Sequence, residues 1–155
     1  MIKYSFLALT VALFATASVA TAQSVFSTFF TEKTMRLDYV HTGGGRELFS
    51  LDQVVSDGPW AGSRTRLLDD TNLGPYFFEV IDRRTNQAVY SRGFASLYGE
   101  WETTAEPKQG IHRSFHESLR FPWPKGPVQI VVKKRDSANA FVEVWSTTIE
   151  PASRF

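Results

Sequence analysis

The sequence predicts an all-β fold, an antiparallel β-sandwich of about seven to eight strands with a short helical or irregular insert. Three observations predict it. Several short segments alternate apolar and polar residues or concentrate aromatic and β-branched ones. Turns rich in Gly, Pro and Asn separate them. No long strand–helix–strand pattern appears, which argues against a parallel sheet.

Taken along the chain, the first segment stands outside the fold. Met1-Ile2-Lys3 is a short positive start, Phe6 to Val19 is apolar and uncharged, and Ala20-Thr21-Ala22 has the small-x-small pattern that signal peptidase reads. Residues 1–22 are expected to be a signal peptide cleaved after Ala22, which makes the protein secreted or periplasmic. A retained membrane anchor is the alternative, but the apolar run is shorter than the roughly 20 residues a spanning helix needs. Removing 22 residues from 155 leaves 133, and among charges only Lys3 is lost, so 16 basic residues balance 16 acidic ones. That balance gives no electrostatic reason to expect nucleic acid or an anionic membrane as a partner. With no cysteine, an exported chain of this size depends on its core, and the 13 Phe, 5 Tyr and 4 Trp of the full sequence, less Tyr4, Phe6 and Phe14 in the signal segment, supply the apolar area.

Within residues 23–151, expected to form the sandwich, Met35–Tyr39 alternates and ends at Gly43-Gly44-Gly45. Leu48–Val55 is mixed and reads as a strand or a helical turn. Tyr76–Ile81 and Ala88–Arg92 flank the hairpin-like turn 82–87. Val128–Val132 follows the breaker Pro-Lys-Gly-Pro, and Phe141–Trp145 follows the polar turn 136–139. Ser96–Ala105 lacks clean alternation and reads as a turn or short helix. Residues 152–155 read as a stub of linker.

The stretch HRSFHESLR (112–120) looks like a broken zinc-protease motif. His112 and His116 have the His-x-x-x-His spacing, but Arg113 stands where the general-base Glu belongs. In the other frame, His116-Glu117 ends in Arg120 instead of a second His. On a helix, residues i and i+4 lie about 6 Å apart and can share a metal. On a strand they stand about 13 Å apart, too far for one ion with bonds of about 2 Å. The alternation predicts strand, with helix as the alternative because Ile111, Phe115 and Leu119 are also spaced by four. His112, Ser114, His116, Ser118 and Arg120 form a polar face. Ile111, Phe115, Leu119 and Phe121 lie opposite, with Arg113 and Glu117 as exceptions on that side. The remaining histidine, His41, falls on another predicted strand. No residue is therefore assigned to a metal, and none to catalysis.

Other groups carry a bland and a functional reading. Glu100 and Glu102 flank Trp101; on a strand they would share a face, as paired acids of a glycosidase do. The plainer reading packs Trp101 over the end of the sandwich with Glu100 anchoring a loop. Trp60, in the tight Asp-Gly-Pro-Trp-Ala-Gly loop, is either a core plug or a platform for a sugar or peptide. Trp123, between Pro122 and Pro124, is the better candidate for exposure, because Pro marks an edge or loop. Asp69-Asp70-Thr71-Asn72 groups oxygens that suit Ca²⁺ but lacks the spacing of a calcium loop and reads as a polar turn.

Five further stretches carry a resemblance. FFTEKTMRLDYVHTGG (29–44), DGPWAGSR (57–64), FASLYGEWETT (94–104), RSFHESLRFPWPKGPVQIVV (113–132) and TTIEP (147–151) resemble, in that order, the N-terminal domain of the IgA-peptidase family of secreted zinc metallopeptidases. The resemblance implies a non-catalytic β-sandwich that precedes a catalytic domain. It implies that zinc belongs to that catalytic domain, expected to be absent from this chain, and that none of the family's catalytic or zinc-binding positions has a counterpart here. The implied partner is a peptidase catalytic domain, with a glycoprotein or peptide substrate beyond it. The alternative function is an exported glycan- or protein-binding module that uses Trp60, Trp101 or Trp123.

Overall fold

The computed structural model describes residues 25–153; the expected signal segment 1–22 and residues 154–155 lie outside them. Strand β1 (Phe30–Gly43) is the spine of the first sheet. From Met35 its residues alternate strictly, as a period-2 pleat requires. Met35, Leu37, Tyr39 and His41 are buried, while Arg36, Asp38, Val40 and Thr42 lie on the other face. Strand β2 (Leu48–Pro59) follows, and the remaining strands are β3 (Tyr76–Asp82), β4 (Gln87–Phe94), β5 (Arg113–Pro124), β6 (Val128–Arg135) and β7 (Phe141–Ile149). They form a three-stranded sheet in the order β2-β1-β5 and a four-stranded sheet in the order β4-β3-β6-β7. All pairings are antiparallel. This is the all-β sandwich expected from the sequence, with seven strands among the described residues.

Aromatic contacts show how the sheets face each other. Trp145 on β7 packs on Tyr39 and Phe49, with ring centroids at 5.7 and 5.6 Å, so β2 lies over β7. Phe121 on β5 meets Phe78 and Tyr90 at 6.2 and 6.5 Å, so β5 lies over β4. Between the sheets Met35, Leu37, Tyr76, Val80, Phe121, Ile130, Val132 and Ile149 are fully buried. The alternating strands predicted at 35–39, 76–81, 88–92, 128–132 and 141–145 each fall inside one of these elements.

The ambiguous segment 48–55 is strand. Its register against β1 shifts between Asp38 and Tyr39 and again between Lys33 and Met35. The first, at Asp52, moves the following side chains to the opposite face and erases the alternation within 48–55; the second falls beyond it, between Ser56 and Pro59. The expected irregular insert is a short helix, α1 (Leu97–Trp101), followed by a 3-10 turn at Pro107–Gln109. Ser96 caps α1: its hydroxyl accepts from the Gly99 N–H at 2.8 Å. Gly43 must be glycine because Tyr98 of that helix packs on it; an added Cβ would lie 2.2 Å from the Tyr98 ring. The insert is therefore fastened to the end of β1 by a close backbone approach.

The core assignment has a direct test. Replacing Ile130, fully buried on β6, with Ala is expected to cost about 2–5 kcal/mol in urea unfolding. Replacing Val142, half exposed on β7, with Ala is expected to change stability by less than about 0.5 kcal/mol.

Candidate functional site

Where β1 and β5 pass beneath α1, the interior becomes polar. His41 continues the inward face of β1 after Leu37 and Tyr39, and is 0% exposed. Glu117 is paired with Tyr39 across the β1–β5 ladder, so it points into the same space. Its carboxylate takes three donors: Tyr39 Oη at 2.9 Å, the Tyr98 backbone N–H at 3.2 Å, and His41 Nδ1 at 3.2 Å. On its other side, His41 Nε2 lies 2.9 Å from Glu47 Oε1, in the turn between β1 and β2. Glu47 also accepts from Tyr76 Oη at 3.0 Å and from Lys134 Nζ at 2.9 Å, and Lys134 donates again to Glu102 at 2.6 Å. The result is a chain of alternating charge, Glu117–His41–Glu47–Lys134–Glu102. It joins both sheets, the 44–47 turn and the end of α1.

The imidazole has carboxylate oxygens at both nitrogens. A neutral ring would turn one lone pair toward an acceptor, whereas the imidazolium donates to both. Burial by itself pulls His41 down, but the hydrogen bonds to Glu117 and Glu47 outweigh it and raise the group above its ordinary value. Burial likewise pushes Glu47 up, and donation from His41 and Lys134 reverses this, holding it at about 2. Glu117 is lowered and Lys134 raised on the same balance. Burial, reinforced by the adjacent carboxylates, pushes both Tyr39 and Tyr76 well up, so both remain phenols and donors.

Rings enclose the cation. His41 is stacked between Tyr98 at 3.8 Å and Phe49 at 4.0 Å, and meets the edge of Tyr76 at 5.8 Å. The Lys134 ammonium lies 5.4 Å from the ring centres of both Tyr76 and Tyr98. A shallow cleft of ≈ 200 Å³, lined in part by Phe94, Ser96, Leu97 and Ser118, reaches Tyr39 and Glu117 from solvent.

Of the residues singled out in the sequence, His41, Glu117 and Glu102 are drawn into this cluster, and several others take other roles. Trp101 is buried, and its indole N–H donates to Glu106 at 2.6 Å. Glu106 also holds Arg113 through a two-point pair, which keeps its own carboxyl down to about 2. The anchoring role expected of Glu100 thus falls to Glu106; Glu100 is exposed on α1. Glu100 and Glu102 sit in and just after a helix rather than on a strand, so residues i and i+2 face apart, and Glu102 is committed to Lys134. Trp60 is half-buried against the core, edge-on to Tyr90 at 5.9 Å, with its N–H donating to the Ser63 carbonyl at 3.2 Å. Trp123 is half-buried on the edge strand β5 and also packs against the core. Asp69 uses its carboxylate as a turn brace, accepting from Thr71 N–H and hydroxyl and from Gly93 N–H.

His112 precedes β5, and His116 lies on its exposed face opposite Val40. These residues do not fit a zinc ion. His112 and His116 are joined by no third ligand in any metal-competent group among the described residues, both nitrogens of His41 are engaged by carboxylates, and the Lys134 ammonium sits between Glu47 and Glu102. The residue of HRSFHESLR that matters to the interior is Glu117. Its signal in the sequence is the break it makes in the apolar row Phe115, Leu119, Phe121. The matching signal at His41 is a polar residue continuing the row Met35, Leu37, Tyr39.

The cluster predicts a pH window. His41, raised in the folded state, contributes stability that is complete below its unfolded value of 6.5 and is lost as pH rises through the folded value. Glu47, lowered, contributes stability that is complete above its unfolded value of 4.5 and is lost as pH falls toward about 2. The stability difference between wild type and His41→Gln should therefore be greatest between these two unfolded values and shrink on either side. A His41→Leu and Glu117→Leu double-mutant cycle should return a coupling of about 0.5–3 kcal/mol.

Comparison with known proteins adds one finding to this geometry. The family model described as Peptidase M64 N-terminus matches residues 25–146. A search of curated proteins returns no match.

Proposed function

The chain belongs to the Peptidase M64 N-terminus family, and on that footing we propose that it is the non-catalytic accessory domain of a secreted zinc metallopeptidase of the IgA-peptidase type, supporting or orienting the catalytic domain. One observation carries this reading. The family match begins in the helical turn before β1 and runs into β7, so the family description covers the sandwich itself. Two physical features support it. The interior polar cluster has its donors and acceptors paired, as befits a rigid brace rather than a reacting site. Of the paired acids that suggested catalysis in the sequence, Glu102 is bonded to Lys134 and Glu100 is exposed on the helix. Zinc, on this reading, belongs to the catalytic domain, and a glycoprotein or peptide is that domain's substrate. On the same reading residues 1–22 are a signal for export, and the setting is secreted or periplasmic.

The test is reconstitution. The mature chain, beginning at Gln23, would be co-expressed with the zinc-dependent catalytic domain of a family member. An accessory role predicts a complex that co-purifies, a higher thermal midpoint for the catalytic domain, and a higher kcat/KM on protein substrate than the catalytic domain shows alone. Unchanged stability and kinetics, or zinc-dependent proteolysis by the mature chain by itself, would overturn it.

A further inference from the structure

The sandwich has four edge strands, and the protein treats them differently. The outer edge of β4 is covered: Ser91 N–H donates to the Leu67 carbonyl, Gly93 N–H to Asp69, and Arg92 to the carbonyls of Arg66 and Leu67. β5 is blunted by its own residues: it carries Arg113, Arg120, Pro122 and Pro124, and the Arg113–Glu106 pair ties the region of the 3-10 turn to its start. Both lie on one side of the molecule. On the opposite side β2 and β7 lie one above the other, and among the described residues no backbone segment hydrogen-bonds to the outer edge of either.

An open edge is normally blunted with lysine or proline. β2 reads LFSLDQVVSDGP and β7 reads FVEVWSTTI; neither contains Lys or Arg, and the one proline is the last residue of β2. Instead this side exposes aliphatic surface. Leu48 and Val142 are each 50% exposed and Val144 is 37% exposed, beside the half-buried Phe49, Leu51 and Trp145. A bulge at Val144 interrupts β7, but beyond it Trp145–Ile149 pairs with β6 without a shift. The charges on these two strands are all acidic. Asp57 is neutralised by Arg36 and Arg120, whereas Asp52 and Glu143 make no ion pair among the described residues.

We infer that the β2/β7 side is a docking surface for an extended polypeptide segment carrying apolar and basic side chains, which adds as a strand along Trp145–Ile149. Its apolar residues cover Val142, Val144 and Trp145, and its basic residues answer Glu143 and Asp52 on the two flanks. The acid-only charge favours a basic partner over a second copy of this chain, which would bring Glu143 and Asp52 against their own kind.

The experiment titrates the mature chain with three nine-residue synthetic peptides. One alternates Val and Lys, one alternates Val and Glu, and one is the Val/Lys peptide with Pro at its centre. Trp145 lies at the proposed seam, so tryptophan fluorescence reports binding, and hydrogen exchange of the β7 amides reports strand addition. The expected result is binding of the Val/Lys peptide at least tenfold tighter than the other two, weakened by salt, with protection of the amides of 145–149. Val142→Lys and Val144→Lys, both on exposed positions that leave the core intact, should each weaken it at least tenfold. Equal binding of the Lys and Glu peptides, no binding of any, binding unchanged in both lysine variants, or concentration-dependent self-association through β7 would each overturn the proposal.

Discussion

The placement of one cation decides how this end of the sandwich is built. His41 is fully buried between two carboxylates, and a buried charge without partners would be prohibitively costly. Each partner comes from a different part of the chain. Glu117 lies on β5, Glu47 in the β1–β2 turn, Lys134 on β6, and the ring that closes over the imidazolium belongs to Tyr98 on α1. Satisfying His41 therefore fixes the turn, the helix and both sheets relative to one another. The cluster stabilises less through the strength of any one pair than through the cost of losing a partner: one charge removed leaves another buried and unmatched. Tyr39 and Tyr76 extend this logic. Burial beside carboxylates keeps both protonated, so each remains a donor where a donor is needed.

The aromatic residues that give the chain its composition serve the same end. His41 has a ring on each face, and Lys134 shares one of them, Tyr98, and adds Tyr76. Phe49 passes the stack on to Trp145, which connects the charged cluster to the β2/β7 seam. Without disulfides, this coupling of a polar brace to an aromatic stack ties the two sheets together at one end, while aliphatic packing around Ile130, Val132 and Leu37 does so in the middle.

The strand pattern was legible wherever one face is apolar and the ladder is regular, as in β1 from Met35 onward and in β3. It was lost in β2, where two bulges move side chains from face to face. The helix α1 is too short for a 3.6-residue period to show, and its Ser96 cap is the main local signal of its start. The polar cluster was hidden for a different reason. His41 and Glu117 each appear as one polar letter in an apolar row, and such a letter reads as an irregularity until its partner across the ladder is known. Pairing Tyr39 with Glu117 is a matter of register between segments 78 residues apart, which no local pattern encodes. The two histidines four apart in this stretch are both exposed, His112 just before β5 and His116 on it, and not on one helix face where that spacing would bring them together.

The two sides of the sandwich show opposite treatments of the same problem. An unpaired strand edge invites association; at β4 the chain covers it with the 66–69 loop, and at β5 it blunts it with arginine and proline. Covering an edge orders loop residues at a conformational cost of about 1–2 kcal/mol each. A chain that meets this cost on one side and leaves the other side apolar, acidic and free of lysine distinguishes its edges. The braced end around His41 lies next to that open side through Phe49 and Trp145, so the surface left for a partner rests on the most tightly tied part of the fold. Such pre-organisation lowers the ordering cost of binding, and it is what an accessory domain needs if it is to hold another domain or segment in one orientation.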